Sequence, residues 1–374
     1  MDHENTRTVN VTLEIDASGQ VRVISQGRSG FEVAVSALEA QSKKSEGAPF
    51  DVPFNAKYDD RGGYVEDFLG AGTVFVRLPR LSSALKHIAS VLIDPPPAGV
   101  DKHVLTYHNF SVVMHKKRRL ALYSAANVDF AGRFDMSRPA DVWRTDPRIP
   151  LEEQLSNFYY AKNQFDRGHL TRREDLEFGS TRKKALQSAA DTCHWTNCTP
   201  QHAHFNQNKE LWQGLERHVL EDAIERSSFR TQVITGPVLE EDDPVWERFP
   251  DIRYPVRFWK IVAALNSNGD LFATAYVLDQ SEVIDQYGIE AAPLVPFTAF
   301  KTFQVSISEV ERLTGLSFSA TVKGQDKPLS KYDPLETKPP RKPRRPRGPS
   351  RNEAAYLDLP EGYVPLDTFD DVIC

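Results

Sequence analysis

The chain has 374 residues, a formal net charge of −6 and 40% hydrophobic residues, enough to bury the core of one large domain with appendages. That balance excludes a bulk polycation, so any grip on a nucleic-acid backbone has to come from local basic patches. Three cysteines, Cys193, Cys198 and Cys374, are too few, and odd in number, for a disulfide framework and point to a reducing compartment.

The start, Met1-Asp2-His3-Glu4-Asn5, lacks the basic and apolar regions of a secretory signal. No apolar run reaches the roughly 18 residues of a membrane span. A cytoplasmic protein without membrane contact is expected. Alternation of Val9, Val11, Leu13 and Ile15 predicts a strand over residues 8–15. A second is predicted over 21–25, with a turn at 16–19 between them. Residues 31–44 are weakly helical and 42–49 read as a linker, so 1–50 form a small accessory β-containing segment.

The main domain is predicted over residues 51–322. Gly70-Ala71-Gly72 reads as a turn, since it lacks the strand–helix setting and full glycine pattern of a phosphate loop. Apolar runs at 110–114 and 120–124, separated by His115-Lys116-Lys117, read as a hairpin. A short strand over 166–170 would deliver His169. Leu211, Leu215, Val219, Leu220 and Ala223 have the spacing of a helix over 206–225. Later strands are predicted at 232–238, 259–265, 271–277 and 302–307. Residues 338–351 carry seven Lys or Arg and five Pro with no acid, a composition no packed core accommodates. The stretch 323–374 therefore reads as a linker and tail, ending in an Asp-rich docking peptide.

The chemistry concentrates in four segments: Asp166-Arg167-Gly168-His169, Asn197-Cys198-Thr199-Pro200-Gln201, Phe205-Asn206 and Trp212-Gln213-Gly214-Leu215-Glu216. Phosphodiester cleavage needs a base for water, a cation at the leaving oxygen and positive charge on the scissile phosphate. In their order and register these segments resemble the DNA/RNA non-specific endonuclease family, the ββα-metal or His-Me finger nucleases. Supporting segments are Tyr107-His108-Asn109-Phe110, Asn127-Val128-Asp129, Thr235-Gly236-Pro237, Phe258-Trp259-Lys260 and Glu311-Arg312-Leu313-Thr314-Gly315. The similarity runs from about residue 54 to 320.

The resemblance implies an α+β fold, with a mixed, mainly antiparallel sheet around a ββα-metal core. It implies His169 as general base, with its other ring nitrogen held by a backbone carbonyl. Asn206 would be the direct ligand of one Mg²⁺, for which Mn²⁺ can substitute, and Glu216 would hold metal-bound water. Arg167 and Arg172 would meet the phosphate, and Asp166 would orient the site. The product ends would be 5′-phosphate and 3′-hydroxyl, from DNA and also RNA.

Two departures stand out. The distance from Pro200-Gln201 selects Asn206, whereas the distance back from Trp212 and Glu216 selects Asn208, so two residues are extra in between. The further phosphate-gripping arginines of the family align with none of Arg133, Arg138, Arg144, Arg148 and Arg172 uniquely. Arg173, Arg182, Lys183 and Lys184 also flank the histidine. The alternatives are a zinc site from Cys193, His194, Cys198, His202 and His204, at a spacing that fits no standard arrangement, and a nucleic-acid-binding scaffold with a degenerate nuclease fold. The presence of every matched position argues against the scaffold. An unsecreted nuclease calls for control, which a protein partner docking through residues 1–50 or the C-terminal tail would supply, as in a defence or toxin-like effector. A homodimer is equally compatible.

Overall fold

The computed structural model describes residues 12–15, 21–24, 54–70, 72, 74–96, 99, 101–136, 141–160, 165–202, 230–266, 268–281, 284–285, 301–326 and 363–366. The chain divides into two compact units, Met1–Phe50 and Asp51–Cys374. In the first, β1 (Thr12–Ile15) and β2 (Val21–Ile24) form an antiparallel hairpin with Ile15 opposite Val21. The remainder of the predicted first strand and the predicted helix at 31–44 lie outside the described residues.

The second unit is built on strands. In chain order these are β3 (Arg80–Leu81), β4 (Leu105–Thr106), β5 (Phe110–His115), β6 (Leu120–Asp129), β7 (Phe165–His169) and β8 (Cys198–His202). Then follow β9 (Arg230–Val238), β10 (Val245–Trp246), β11 (Phe249–Arg253), β12 (Arg257–Leu265), β13 (Leu271–Asp279), β14 (Lys301–Val305), β15 (Leu316–Ser317) and β16 (Val364–Pro365). The helices are α1 (Ser83–Ile88), α2 (Asn157–Tyr160), α3 (Arg182–Asp191), α4 (Ile307–Thr314) and α5 (Ala320–Lys323).

An eight-stranded antiparallel sheet in the order β16-β14-β13-β12-β9-β6-β5-β4 carries the unit. The mixed α/β architecture with a mainly antiparallel sheet is the one expected from the sequence. Because successive strand side chains point to opposite faces, β12 divides its apolar residues between two cores. Phe258, Val262 and Ala264 enter one, and Trp259, Ile261 and Ala263 enter the other. β13 does the same with Tyr276 and Leu278 against Ala273, Ala275 and Val277. Both faces are therefore covered, which explains the near-continuous apolar runs of these strands.

On one face Ile149, Leu170, Leu176 and Phe178 complete the core. These come from the segments around β7, so the catalytic candidates sit on this side. On the other face Ile307, Val310, Leu316, Phe318 and Val322 bring α4 and α5 onto the sheet. α4 starts where Ser306 accepts from the Glu309 N–H and stops at Gly315, whose φ of 68° is the left-handed conformation that glycine tolerates. The predicted strand at 302–307 accordingly ends earlier, at Val305, with Ser306 turning the chain into the helix. The predicted turn at Gly70 is present, with Gly70 bridging Val74 and Gly72 at φ 84°.

The tail departs from its reading as a tether and docking peptide at residues 363–366. Val364 pairs with Gln304 on the sheet edge, the Leu366 N–H donates to the Thr302 carbonyl, and the Tyr363 hydroxyl donates to Glu309. Val364 and Leu366 are both buried. The segment is too short for any periodicity, and only the sheet edge turns it into a strand. A Leu366→Ala variant is expected to lose about 2 kcal/mol of stability, the lower end for a large-to-small core change, measured by urea denaturation. An unchanged midpoint would mean that the edge strand contributes nothing to the unit.

Candidate active site

The four residues Asp166-Arg167-Gly168-His169 lie on β7, antiparallel to β8 in the register Asp166 opposite Gln201, Arg167 opposite Pro200, Gly168 opposite Thr199 and His169 opposite Cys198. The strand reading of 166–170 holds within one residue at each end. Strand alternation puts Arg167 and His169 on the same side of the ribbon, with Arg167 exposed and His169 half-buried. Gly168 is required by crowding: a Cβ there would lie 2.3 Å from the Gln201 side chain, which is itself buried.

What holds β7 in place is the amide of Asn197. Its Oδ1 accepts from the Thr171 N–H (2.9 Å) and the Ser124 hydroxyl (3.2 Å), and its Nδ2 donates to the carbonyls of Thr171 (2.8 Å) and Thr192 (3.0 Å). The Asn197 carbonyl also accepts from the Leu170 N–H. The residues just after His169 are thus tied to β6 of the main sheet and to the end of α3. Nothing in its local sequence singled out this role for Asn197.

Around His169, the Trp143 ring lies 4.7 Å away and stacks at 5.0 Å on Trp195. The Arg167 guanidinium is 5.8 Å from the same Trp143 ring. Nε2 of His169 is 3.7 Å from Sγ of Cys193. Burial pushes the Cys193 thiol up to about 11, so it is a neutral neighbour at pH 7. Trp143 and Cys193 reach the histidine from 26 residues before it and 24 after it in the sequence, a separation that hides them from motif reading.

Of the other expected site residues, Arg172 faces Asp175 at 3.4 Å and Glu174 at 3.7 Å, so the acids of the following turn share its charge. Asp166 is half-buried on the opposite side of the ribbon from His169. Asn206, Asn208 and Glu216, with the helix expected over 206–225, lie outside the described residues. Arg148 is bound to Asp146 by two side-chain hydrogen bonds, and Arg144 lies 4.5 Å over the Phe54 ring. Arg182, Lys183 and Lys184 crowd into the exposed first turn of α3, where the helix dipole disfavours cations.

Behind the site runs a buried polar layer. Tyr107 donates to Asp146 (2.5 Å) and shares a hydrogen bond with Thr196. Asp191 pairs with Arg61 through both oxygens and with His108. His194 lies between the Asp191 carbonyl at Nδ1 and the Tyr58 hydroxyl at Nε2, which fits a neutral ring donating from Nδ1 and accepting at Nε2. These bonds employ His194 structurally, and the expected alternative of a Cys193, His194, Cys198, His202 and His204 zinc site loses that member. His204 and the side chain of His202 are outside the described residues.

Among the described residues, the cluster of three donor side chains is instead Asp141, His169 and Cys193, whose donor atoms lie within 4.8 Å of one another. A nitrogen, a sulfur and a carboxylate do not fit Mg²⁺, which takes oxygen ligands and keeps much of its water.

The chain matches the family described as DNA/RNA non-specific endonuclease over residues 89–325. It belongs to that family, for which metal binding is expected. It is 35% identical over 306 residues to an uncharacterized protein, y4fB, of Sinorhizobium fredii, covering 79% of this chain and 44% of that one. It is 23% identical over 242 residues to the mitochondrial nuclease EXOG of Danio rerio, covering 62% of this chain and 64% of the relative. A nuclease of Nostoc sp. is 23% identical over 262 residues, covering 68% and 89%. The chain thus spans about half to two thirds of the length of the first two relatives. Among solved structures, that of the EndoG/EndoGI complex is similar at a TM-score of 0.43 and 18% identity, over 60% of this chain and 87% of that one.

Two expectations follow from this geometry. Asn197→Ala strands two carbonyls and an N–H in a buried setting, so stability should fall by about 3 kcal/mol, measured by urea denaturation. A loss below about 1 kcal/mol would contradict the clamp. The second concerns pH. Burial holds the His194 imidazole below its usual range. A depressed folded pKa means that stability from this ring is complete above the ordinary value of about 6.5 and is lost as pH falls. His115, lowered to about 4 by burial and by Arg118, adds a loss of the same sign. Asp146 and Asp191 are held below the carboxylate range, although burial opposes it, by Arg148 and Tyr107 and by His108 and Arg61. They add a second loss below about pH 4. The denaturation midpoint should drop from pH 7 to pH 5, and drop less in His194→Gln. An equal drop in both proteins would remove His194 from the account.

Proposed function

We propose that this chain is a metal-dependent, sugar-non-specific endonuclease that hydrolyses phosphodiester bonds of DNA and also RNA, leaving 5′-phosphate and 3′-hydroxyl ends. The observation that supports it most is the pairing of β7 with β8, which puts His169 and Arg167 on one side of a ribbon clamped to the sheet. His169 takes the proton from the attacking water. A neutral imidazole, with an ordinary pKa near 6.5, has a lone pair for this at pH 7. Arg167 offers the non-bridging phosphate oxygens a planar fork of donors. Asp166 and Arg172 are assigned supporting roles in orientation and phosphate contact.

Trp143 packs against the imidazole with the ring centroids 4.7 Å apart and limits its rotation, which preserves the direction of the lone pair. The oxygen donors for Mg²⁺ or Mn²⁺ are assigned to Asn206, with Glu216 holding coordinated water. A cation bound there would neutralise charge on the leaving oxygen. The basic first turn of α3 would extend the contact along the phosphate backbone without reading sequence. A cytoplasmic location, a regulatory protein partner and a homodimer belong to the same proposal. Among the described residues, no helix is long and apolar enough to cross a membrane.

Supercoiled-plasmid cleavage tests the reading. The protein should nick DNA with Mg²⁺ or Mn²⁺ and stop with EDTA, and His169→Ala should lose at least the hundredfold that general-base catalysis typically contributes. Asn206→Ala should lose most activity while Asn208→Ala stays mild. Retained cleavage in His169→Ala would sink the mechanism, and the reverse ranking of the asparagines would move the ligand to Asn208.

A further inference from the structure

Asp141 and Cys193 have no part in the hydrolysis just described, yet together with His169 they place three different donors around one point. Zinc is bound by sulfur at about 2.3 Å and by imidazole nitrogen at about 2.0–2.1 Å, tetrahedrally. Two such ligands stand about 3.6 Å apart by those bond lengths. The Cys193 Sγ to His169 Nε2 distance is 3.7 Å, so this pair already has the span of a zinc chelate. Asp141 is half-buried, and its carboxylate faces the Arg173 guanidinium at 3.9 Å. A small closing movement brings its oxygen from within 4.8 Å of the other two donors to ligand distance.

We propose that Asp141, His169 and Cys193 form an inhibitory binding site for a borderline-soft divalent cation of the zinc type, separate in chemistry from the oxygen-ligated ion of the nuclease. Thiolate and imidazole select Zn²⁺ over Mg²⁺. Binding makes a metal–sulfur bond and releases the thiol proton to solvent, and no oxidant or reductant takes part. The inhibition follows from counting lone pairs. A neutral imidazole has one, and with the metal on Nε2 the ring proton sits on Nδ1, so His169 has nothing left to accept a proton from water. The metal-binding arm of this inference is independent of the function proposed above, and the inhibition arm rests on it.

Co²⁺, added as the chloride to the full chain, tests the site optically, because thiolate ligation gives an intense sulfur-to-cobalt charge-transfer absorption. The wild type should bind one Co²⁺ with that band, and added Zn²⁺ should bleach it. The band should vanish in Cys193→Ala and persist in Cys198→Ser. Should Cys193→Ala not fold, Asp141→Asn at its half-buried position should keep the band with an affinity lowered about tenfold or more, the scale on which partners of metal ligands act. In plasmid cleavage with Mg²⁺, Zn²⁺ should inhibit the wild type, and Asp141→Asn should need about tenfold more Zn²⁺ for the same inhibition. No charge-transfer band in the wild type, or a band that survives Cys193→Ala, would overturn the site. A band that behaves as described in a protein without nuclease activity would uphold the site and reject the nuclease reading.

Discussion

Everything proposed for His169 depends on one buried side-chain amide. Asn197 satisfies its four hydrogen bonds on Thr171, Thr192 and Ser124, and thereby joins the β7–β8 ribbon to β6 of the main sheet and to the end of α3. A base has to sit within a few tenths of an ångström of its working position, and a two-stranded ribbon alone is too weak to hold one there. The amide gives the ribbon the rigidity of the eight-stranded sheet behind it. Gly168 permits the same arrangement by letting Gln201 pack against the strand where any side chain would collide.

The layer behind the site shows what that rigidity costs. Asp146, Asp191, His194, Arg61 and Tyr107 are buried polar groups, each of which would be expensive without partners. They are joined to one another instead, and they tie the 54–61 segment, the start of β5 and the end of α3 into one polar block. Aromatic packing of Tyr58, Tyr107, Phe110 and His194 encloses it. The same segment supplies Cys193, so the polar block also fixes the thiol beside the His169 ring.

Much of the scaffold was legible because its signals are local. The runs at 259–265 and 271–277 read as strands and are the centres of β12 and β13, and the hairpin at 110–124 is present with a register shift at Val113/Met114 that no alternation reveals. Asp166-Arg167-Gly168-His169 was legible as a contiguous motif on a short strand. Trp143, Asp141 and Cys193 were not, since tertiary folding alone brings them to His169. The bland fate of His194 was hidden for the same reason: its partner Tyr58 lies 136 residues away. Arg172 read as a phosphate contact, and only the turn that follows it revealed Glu174 and Asp175 beside its guanidinium. The edge strand β16 escaped because two residues carry no period.

The central claim is that the β7–β8 ribbon carrying His169 is as rigid as the sheet to which Asn197 fastens it. Native-state amide hydrogen exchange measures this directly, residue by residue. The N–H groups of Leu170 and Thr171, which donate to Asn197, should exchange with protection close to that of β9 and β12 in the centre of the sheet. Exchange of these two amides by local opening, well ahead of the central strands, would contradict the account.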